Sequence, residues 1–209
     1  MRILLVDDHA VVRAGCKALL ENQGDLRVIA EAESGEAACR QFIEHAPDVV
    51  IMDLSMPGIG GIEAIRRIVA RQSDARVLVF SMHADTLFVE QALQAGARGY
   101  IGMRSAPLVL VEAVRQIASG NIYIDPDITQ RLAVQKTKGS DSPLLALSTR
   151  EFEILCLLAE GLSVNRVANR LALSCKTVAN YATQIKSKLE VETTSELTRL
   201  AIRHGLVKA

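Results

Sequence analysis

The stretch that decides the fold, VVIMDLSMPG, occupies residues 49–58. Four apolar residues come first and Asp53 follows them directly. A short, unbroken apolar run is typical of a strand buried on both faces, as in a parallel sheet. An earlier run over residues 3–6 ends in the same way, at Asp7 and Asp8. Because the carboxyl ends of parallel strands meet at one edge of a sheet, we expect these three carboxylates to lie together there.

Three neighbouring carboxylates repel one another, and this repulsion favours the binding of a cation between them. A hard divalent cation such as Mg²⁺ relieves it, because carboxylate oxygens are its preferred protein ligands, and the same ion carries phosphate. The pattern therefore predicts a Mg²⁺ site beside an aspartate that accepts a phosphoryl group. The plainer interpretation makes Asp7 and Asp8 simple strand-end caps, and the similar strand end at Asp53 disfavours it.

The first part of the chain alternates short apolar runs with amphipathic stretches as far as about residue 118. Strands are predicted over residues 3–6, 27–31, 49–52, 77–80 and 99–102, and helices near 10–22, 35–45, 61–70, 85–94 and 107–118. Successive βα units of this kind predict an α/β domain over residues 1–120, with a doubly wound five-stranded parallel sheet.

The alternation stops after Gly120. Residues 125–127 read DPD and can begin one further helix, which is predicted to reach about Val134. Residues 136–143 are polar and contain Gly and Pro, a composition typical of a flexible linker. The segment 121–143 is therefore predicted to be a linker with a short helix.

The last part of the chain, residues 144–209, has a helical pattern throughout. A capping box is predicted between Ser148 and Glu151, and four helices follow. The second and third are joined by a tight turn at residues 172–174, which indicates a helix-turn-helix. This part holds 9 Lys+Arg and 6 Asp+Glu, against 15 and 18 in residues 1–143, so nucleic-acid contact is expected here.

One face of the helix that begins at Ser174 suits the major groove of DNA. The apolar face carries Val178, Ala182, Ile185 and Leu189, and the opposite face carries Lys176, Asn180, Thr183 and Ser187. Between Ser174 and Glu190 the helix carries no acidic residue. Lysines at the borders are expected to bind phosphates, and Asn180 and Thr183 to contact base edges. An ordinary solvated face is the alternative, which the absence of acids disfavours.

The composition excludes several classes of protein. The chain has 209 residues, enough for two small domains, and 49% of them are apolar, so it is not disordered. No apolar stretch approaches the roughly 20 residues of a membrane span, and no signal-peptide pattern precedes the first strand, so we expect a cytoplasmic protein. The four cysteines form no C-x-x-C pair, and the four histidines are isolated and interpreted as surface or helix-end residues.

Taken together, these motifs resemble those of two-component response regulators of the NarL/LuxR (FixJ) type. In the first domain the resemblance rests on DDH at 7–9, MDLSMPG at 52–58, Ser81 and GARGY at 96–100. In the second it rests on LSTRE at 147–151, Ala168, KTV at 176–178 and KL at 188–189. Tyr181 and the tail AIRHGL at 201–206 most resemble the GacA/UvrY subgroup.

The resemblance implies a role for each matched residue of the CheY-like receiver. Asp53 would be the phosphoacceptor. Mg²⁺ would be bound directly by Asp8 and Asp53, through water by Asp7, and by the backbone carbonyl of Ser55. Two residues would form the switch that responds to the phosphoryl group, Ser81 and Tyr100.

The resemblance also implies partners: double-stranded DNA, a sensor histidine kinase, RNA polymerase and a second copy of the chain. Six residues would face DNA: Lys176, Thr177, Asn180, Thr183, Lys186 and Lys188. The last helix would form a dimer contact, for which the apolar candidates are Leu197, Leu200 and Ala201.

One residue departs from the family pattern. The family places a lysine three residues after the aromatic switch residue, and this chain has Met103 there. The neighbouring Arg104 would point to the opposite side of the strand. Weak phosphorylation control is therefore expected. The alternative is a phosphorylation-independent regulator whose degenerate receiver serves as a dimerisation or interaction module. A phosphohydrolase ranks far lower, because Ser55 stands where such enzymes carry a second acid.

Overall fold

The computed structural model describes residues 1–83, 86–105, 107–137, 143–171, 173–204 and 206–207. It divides into two compact units, Met1–Lys138 and Gly139–Ala209. Residues 138–142, near the end of the predicted linker, lie outside the described residues, as do Ala172 in the predicted tight turn and Gly205 in the tail motif.

The first unit is a parallel sheet with helices on both faces. Its strands are β1 (Arg2–Val6), β2 (Arg27–Ala32), β3 (Val49–Met52), β4 (Val77–Ser81), β5 (Gly99–Gly102) and β6 (Tyr123–Ile124), in the order β2-β1-β3-β4-β5-β6. Its helices are α1 (Ala10–Glu21), α2 (Gly35–His45), α3 (Gly60–Arg71), α4 (Thr86–Gln94), α5 (Pro107–Ala118) and α6 (Pro126–Thr137). The doubly wound architecture predicted from the alternating pattern is confirmed.

The apolar strands form because both of their faces are covered. All four residues of β3 are buried, and so are all four of β5. Ile3 and Leu5 of β1 pack with α1 and α5. Successive side chains of a strand point to opposite faces, so Leu4 between them points to the other face of the sheet. Burial on both sides explains why these strands read as unbroken apolar runs.

A sixth strand corrects the prediction of a five-stranded sheet. The five predicted strands are present, and β6 pairs in parallel with β5 through Gly99 opposite Tyr123 and Tyr100 opposite Ile124. Tyr123 donates its N–H to the carbonyl of Arg98 at 3.1 Å. This strand and α6 fall inside the predicted linker, and α6 extends to Thr137 rather than to about Val134. A strand of two residues is too short to show a periodicity in the sequence.

A close backbone approach fixes the loop that follows β3. A Cβ atom on Gly61 would lie 2.0 Å from the carbonyl oxygen of Asp53, far inside contact distance. Gly61 also donates its N–H to the carbonyl of Leu54 at 3.1 Å. Glycine is therefore required at the start of α3, where this helix holds the chain just after Asp53 in place.

The second unit is helical. A 3₁₀ turn at Pro143–Ala146 precedes α7 (Thr149–Ala159), α8 (Val164–Arg170), α9 (Cys175–Lys188) and α10 (Thr194–Arg203). Each α-helix begins after a side-chain cap, and the caps are Ser148, Ser163, Ser174 and Thr193. The predicted capping box of Ser148 and Glu151 is confirmed, and Thr193 and Glu196 form a second one. In the part of the chain that the structure describes, no helix is long and apolar enough to cross a membrane.

Candidate functional site

An acidic cluster lies at the carboxyl edge of the sheet, where β1 and β3 end side by side. Asp53 donates its N–H to the carbonyl of Val6 at 2.9 Å, which places it beside Asp7. Asp7 is 2% exposed and Asp53 is 4% exposed, while Asp8 is open to solvent. The structure thus brings together the three carboxylates predicted from the strand ends.

The two buried carboxyl groups are incompletely satisfied. Among the described residues, Asp7 Oδ2 and Asp53 Oδ1 have no hydrogen-bond partner. Burial raises the pKa of Asp53 to about 6; the neighbouring Asp7 adds to this rise, and a hydrogen bond from Ser81 opposes it. Burial also raises the pKa of Asp7, against hydrogen bonds from His9. Buried oxygens without partners are what a cation site requires, because an ion supplies the missing contacts.

His9 belongs to this cluster although the sequence analysis treated it as isolated. Its Nδ1 atom lies 2.9 Å from Asp8 Oδ1 and 3.2 Å from Asp7 Oδ1. One possible ligand atom from each of these three residues lies within 4.8 Å of the others. The oxygens suit Mg²⁺, whereas an imidazole nitrogen does not. His9 is next to the acidic pair in sequence, which was the available signal.

The predicted switch residues meet at a residue that was not predicted, His83. Ser81 is fully buried at the end of β4, and its hydroxyl accepts a hydrogen bond from the His83 N–H at 3.4 Å. Tyr100 is also fully buried, and its hydroxyl donates to the His83 carbonyl. The His83 ring reaches Ser55, with 2.7 Å between Nε2 and Oγ. Ser55 in turn donates its N–H to Asp53 Oδ2 at 3.2 Å.

Met103 and Arg104 line two different cavities of the first unit. Met103 donates its N–H to the carbonyl of Ser81 at 2.9 Å and borders a cavity of about 550 Å³. That cavity is largely apolar, with Val12, Cys16 and Phe80 in its wall. Arg104 borders a different groove, and in the described part of the chain it forms no ion pair with Asp53. The site therefore lacks the cation that the family pattern provides there.

In the second unit, the outward face of α9 agrees with the sequence pattern, because Lys176, Asn180, Thr183 and Ser187 are all exposed. Val178, Ile185 and Leu189 are buried as predicted, and Ala182 is half-buried. Lys176, Asn180 and Thr183 are exposed. Lys186 and Thr177 are half-buried, and the Thr177 hydroxyl lies 2.7 Å from the capping hydroxyl of Ser174. Ser187 and Lys188 of this helix are exposed as well.

Lys188 is bound inside its own domain. Its ammonium lies 2.6 Å from Oε2 of Glu151, a carboxylate with only 4% of its side chain exposed. Burial acts to raise the pKa of Glu151, but hydrogen bonds from Lys188 and Ser148 outweigh it and lower the pKa overall. Lys188 thus joins α9 to the N-terminus of α7, and a phosphate contact would have to compete with this pair.

Two of the three residues predicted for the dimer contact lie in the core of their own unit. Leu197 is 1% exposed and Ala201 is fully buried, because this face of α10 packs against α7. Leu200 is half-buried, and the exposed apolar side chain of α10 is Ile202, at 37%.

Comparison with known proteins supports the division into two units. The family model for the response regulator receiver domain matches residues 3–115. The model for bacterial regulatory proteins of the luxR family matches residues 145–201. These matches, with the acidic sheet edge and the capped helices, define the class of protein as a two-component response regulator with a LuxR-type DNA-binding domain.

Relatives that match over the whole chain are response regulators as well. The chain is 41% identical over 211 residues to the response regulator UvrY of Escherichia coli K12, covering 100% of this chain and 97% of that protein. It is 39% identical over 211 residues to the response regulator GacA of Pseudomonas aeruginosa, covering 100% and 99%. The chain belongs to the LuxR family of response regulators, which are transcription regulators and not enzymes.

Two solved structures show the same likeness. A LuxR-family response regulator from Aurantimonas sp. SI85-9A1 has a TM-score of 0.64 and 43% identity, covering 65% of this chain and 97% of that one. RcsB from Salmonella enterica serovar Typhimurium, bound to promoter P1flhDC in the presence of the phosphomimetic BeF3⁻, has a TM-score of 0.68 and 27% identity. It covers 96% of this chain and 97% of that one.

Proposed function

We propose that Asp53 accepts a phosphoryl group and that this event regulates DNA binding by residues 144–209. The observation that carries the proposal is the pair of buried carboxylate oxygens without partners, Asp7 Oδ2 and Asp53 Oδ1, at the sheet edge. Asp8 and Asp53 would bind Mg²⁺ directly, Asp7 through water, and Ser55 by its carbonyl. When bound, Mg²⁺ supplies the positive charge that phosphoryl oxygens need.

The chemistry follows from the state of Asp53. Its pKa of about 6 leaves the carboxylate mostly ionised near neutral pH, so an oxygen can act as nucleophile. That oxygen forms a bond to phosphorus while the bond between phosphorus and the donor breaks, and the donor leaves with the bonding electron pair. The donor in the cell would be the phosphohistidine of a sensor histidine kinase. The buried hydroxyl of Ser81 would donate a hydrogen bond to an oxygen of the transferred phosphoryl group.

Four exposed or half-exposed side chains of α9 are the proposed DNA contacts: Lys176, Asn180, Thr183 and Lys186. Thr177 and Lys188 support the helix through Ser174 and Glu151. One module reads few base pairs, so we infer a symmetric dimer on paired half-sites. The similar RcsB is described as two dimers bound to two parallel DNAs, which supports the inference. RNA polymerase is the expected partner at the promoter, and the cytoplasm the expected compartment.

Incubation of the full-length protein with acetyl phosphate and Mg²⁺ tests the proposal. Intact mass spectrometry should show the addition of one phosphoryl group, lost in Asp53→Asn. The matched control is Asp74→Asn, an exposed carboxylate outside the acidic cluster, which should leave phosphorylation unchanged. DNA affinity measured with and without the donor then reports the coupling.

A second candidate function is favoured by Met103. The family's lysine would contact the phosphoryl group, and the thioether that replaces it borders an apolar cavity. A receiver without that cation could serve as a dimerisation or interaction module and regulate without phosphorylation. Tight DNA binding by Asp53→Asn, equal to that of the wild type with donor, would favour this function.

A further inference from the structure

The residue His83 has an unusual number of contacts with the proposed phosphorylation site. Its backbone is held on both sides, because its N–H donates to the Ser81 hydroxyl at 3.4 Å and its carbonyl accepts from the Tyr100 hydroxyl. Its ring is held as well, stacked on Phe88 with the ring centroids 4.3 Å apart and an interplanar angle of 23°. Residues of β4 and β5 thus hold the backbone of His83, and Phe88 of α4 packs against its ring.

The His83 ring is connected to the proposed phosphoacceptor, Asp53, through Ser55. Nε2 lies 2.7 Å from the Ser55 hydroxyl, and the N–H of the same serine donates to Asp53 Oδ2 at 3.2 Å. One serine therefore separates the imidazole from the carboxylate of Asp53. A hydroxyl both donates and accepts, so this serine can exchange its contact with the ring for another without losing its own satisfaction.

The same site has lost a donor. In the family pattern a lysine stands at position 103 and would contact the phosphoryl group, but the side chain of Met103 has no N–H to donate. No described basic residue forms an ion pair with Asp53, while His9 is bound to Asp7 and Asp8 on the β1 side. The His83 ring is the nitrogen donor that the structure places on the Ser55 side of Asp53.

We propose that His83 replaces the missing lysine and donates its Nε2–H to an oxygen of the phosphoryl group on Asp53. This inference rests on the proposed function. In the resting protein the ring bonds Ser55, and in the phosphorylated protein it turns to the new oxygen. The backbone contacts of His83 with Ser81 and Tyr100 place this residue beside both predicted switch residues.

The test uses full-length protein, acetyl phosphate and Mg²⁺, with the phosphorylated fraction and the lifetime of the acyl phosphate as readouts. His83→Ala should lower the phosphorylated fraction roughly tenfold, as expected for loss of one hydrogen bond to a charged group. His83→Gln keeps an N–H donor and should retain most of it. His45→Ala, at the far end of α2, is the matched control and should match the wild type.

A second substitution separates a donor role from a structural one. Met103→Lys returns the family's donor, so it should restore phosphorylation to His83→Ala. Mg²⁺ affinity measured by titration calorimetry should be the same in His83→Ala and wild type. If His83→Ala lowers the phosphorylated fraction by the same factor in the wild-type and the Met103→Lys backgrounds, the ring has only a structural role and the inference is overturned. The same holds if His83→Ala has no effect.

The two proposals fail in different ways. Phosphorylation of Met103→Lys but not of the wild type would overturn the role of His83, because it would show that nothing in the natural chain replaces the lysine. If neither protein accepts a phosphoryl group, the proposed phosphoacceptor itself is wrong, and the inference about His83 falls with it.

Discussion

The two units carry their functional side chains in opposite ways. In the receiver, Asp7 and Asp53 are buried polar groups, placed at the ends of apolar strands and left with oxygens that lack partners. In the DNA-binding unit, Lys176 and Asn180 are exposed, and the buried carboxylate of Glu151 is paired with Lys188. The first arrangement costs stability until a ligand arrives, whereas the second costs little at any time. The receiver is therefore the unit whose stability should respond most to ligand and pH.

The largest expected effect tests whether the inner face of α10 is core. Leu197→Ala should lower the free energy of unfolding of the second unit by roughly 2–5 kcal/mol, because it removes a fully buried side chain. Leu200→Ala, at a half-buried position on the same helix, is the control and should cost clearly less. Chemical denaturation measures both. A Leu197→Ala protein of unchanged stability but altered oligomeric state would restore the dimer interpretation.

The next effect concerns the buried acid of the receiver. Asp53 has a pKa raised from 3.8 to about 6, so its ionisation disfavours the folded state, and the stability associated with its protonated form is lost as the pH rises through about 6. In the metal-free protein, Asp53→Asn should be more stable than wild type by about 3 kcal/mol at about pH 8, and the difference should vanish below about pH 4.

Calorimetry in the presence of a chelator measures this difference. Mg²⁺ should then stabilise the wild type and leave the Asp53→Asn protein nearly unchanged, since ligand binding to the folded state adds stability. Asp74→Asn provides the matched control. A wild type that is as stable as Asp53→Asn at high pH would remove the contrast between the two units.

A smaller effect tests the paired acid of the DNA-binding unit. Lys188→Met keeps the aliphatic stem but leaves the Glu151 carboxylate buried without its ammonium partner, so it should cost roughly 1.5–3 kcal/mol of unfolding free energy near neutral pH. Because the pKa of Glu151 is lowered in the folded state, this cost should shrink as the pH falls through that pKa. Lys176→Met, an exposed site on the same helix, should leave stability unchanged.

The smallest effects are on DNA binding by α9. Asn180→Ala should change which sequence is preferred, with a loss of about 1 kcal/mol or more at one base position. Lys186→Ala should weaken binding to all sequences alike and reduce the salt dependence by about one phosphate contact. Fluorescence anisotropy with a site library over a range of salt measures both. A uniform loss in Asn180→Ala would assign that residue to the phosphates.

Some of these features were predictable from sequence and others were not, for physical reasons. The run Val49–Met52 and the acid after it predicted the sheet and its acidic edge, because burial on both faces demands apolar residues and strand ends share an edge. The apolar pattern of α10 predicted the helix, but it did not predict that Leu197 and Ala201 pack against α7 of the same unit. Periodicity shows that Leu197 is apolar without showing whether its own domain or a partner covers it.

The sequence also did not predict the polar contacts between segments that are distant along the chain. His83 and Ser55 are far apart in sequence, and so are Lys188 and Glu151, yet both pairs form. Nothing local marks such a pair, since a solvated lysine and a paired one look the same in a helical pattern. Their positions follow from the packing of whole elements.

The short strand β6 has a consequence for handling the receiver by itself. It covers the outer edge of β5, where the N–H of Asp125 donates to the carbonyl of Tyr100 at 2.9 Å. A fragment that ends at Gly120 would lack this cover and expose unpaired backbone groups along β5. Open strand edges add strands from other molecules, so that fragment should aggregate, whereas one that ends at Thr137 keeps its edge capped and should remain dispersed.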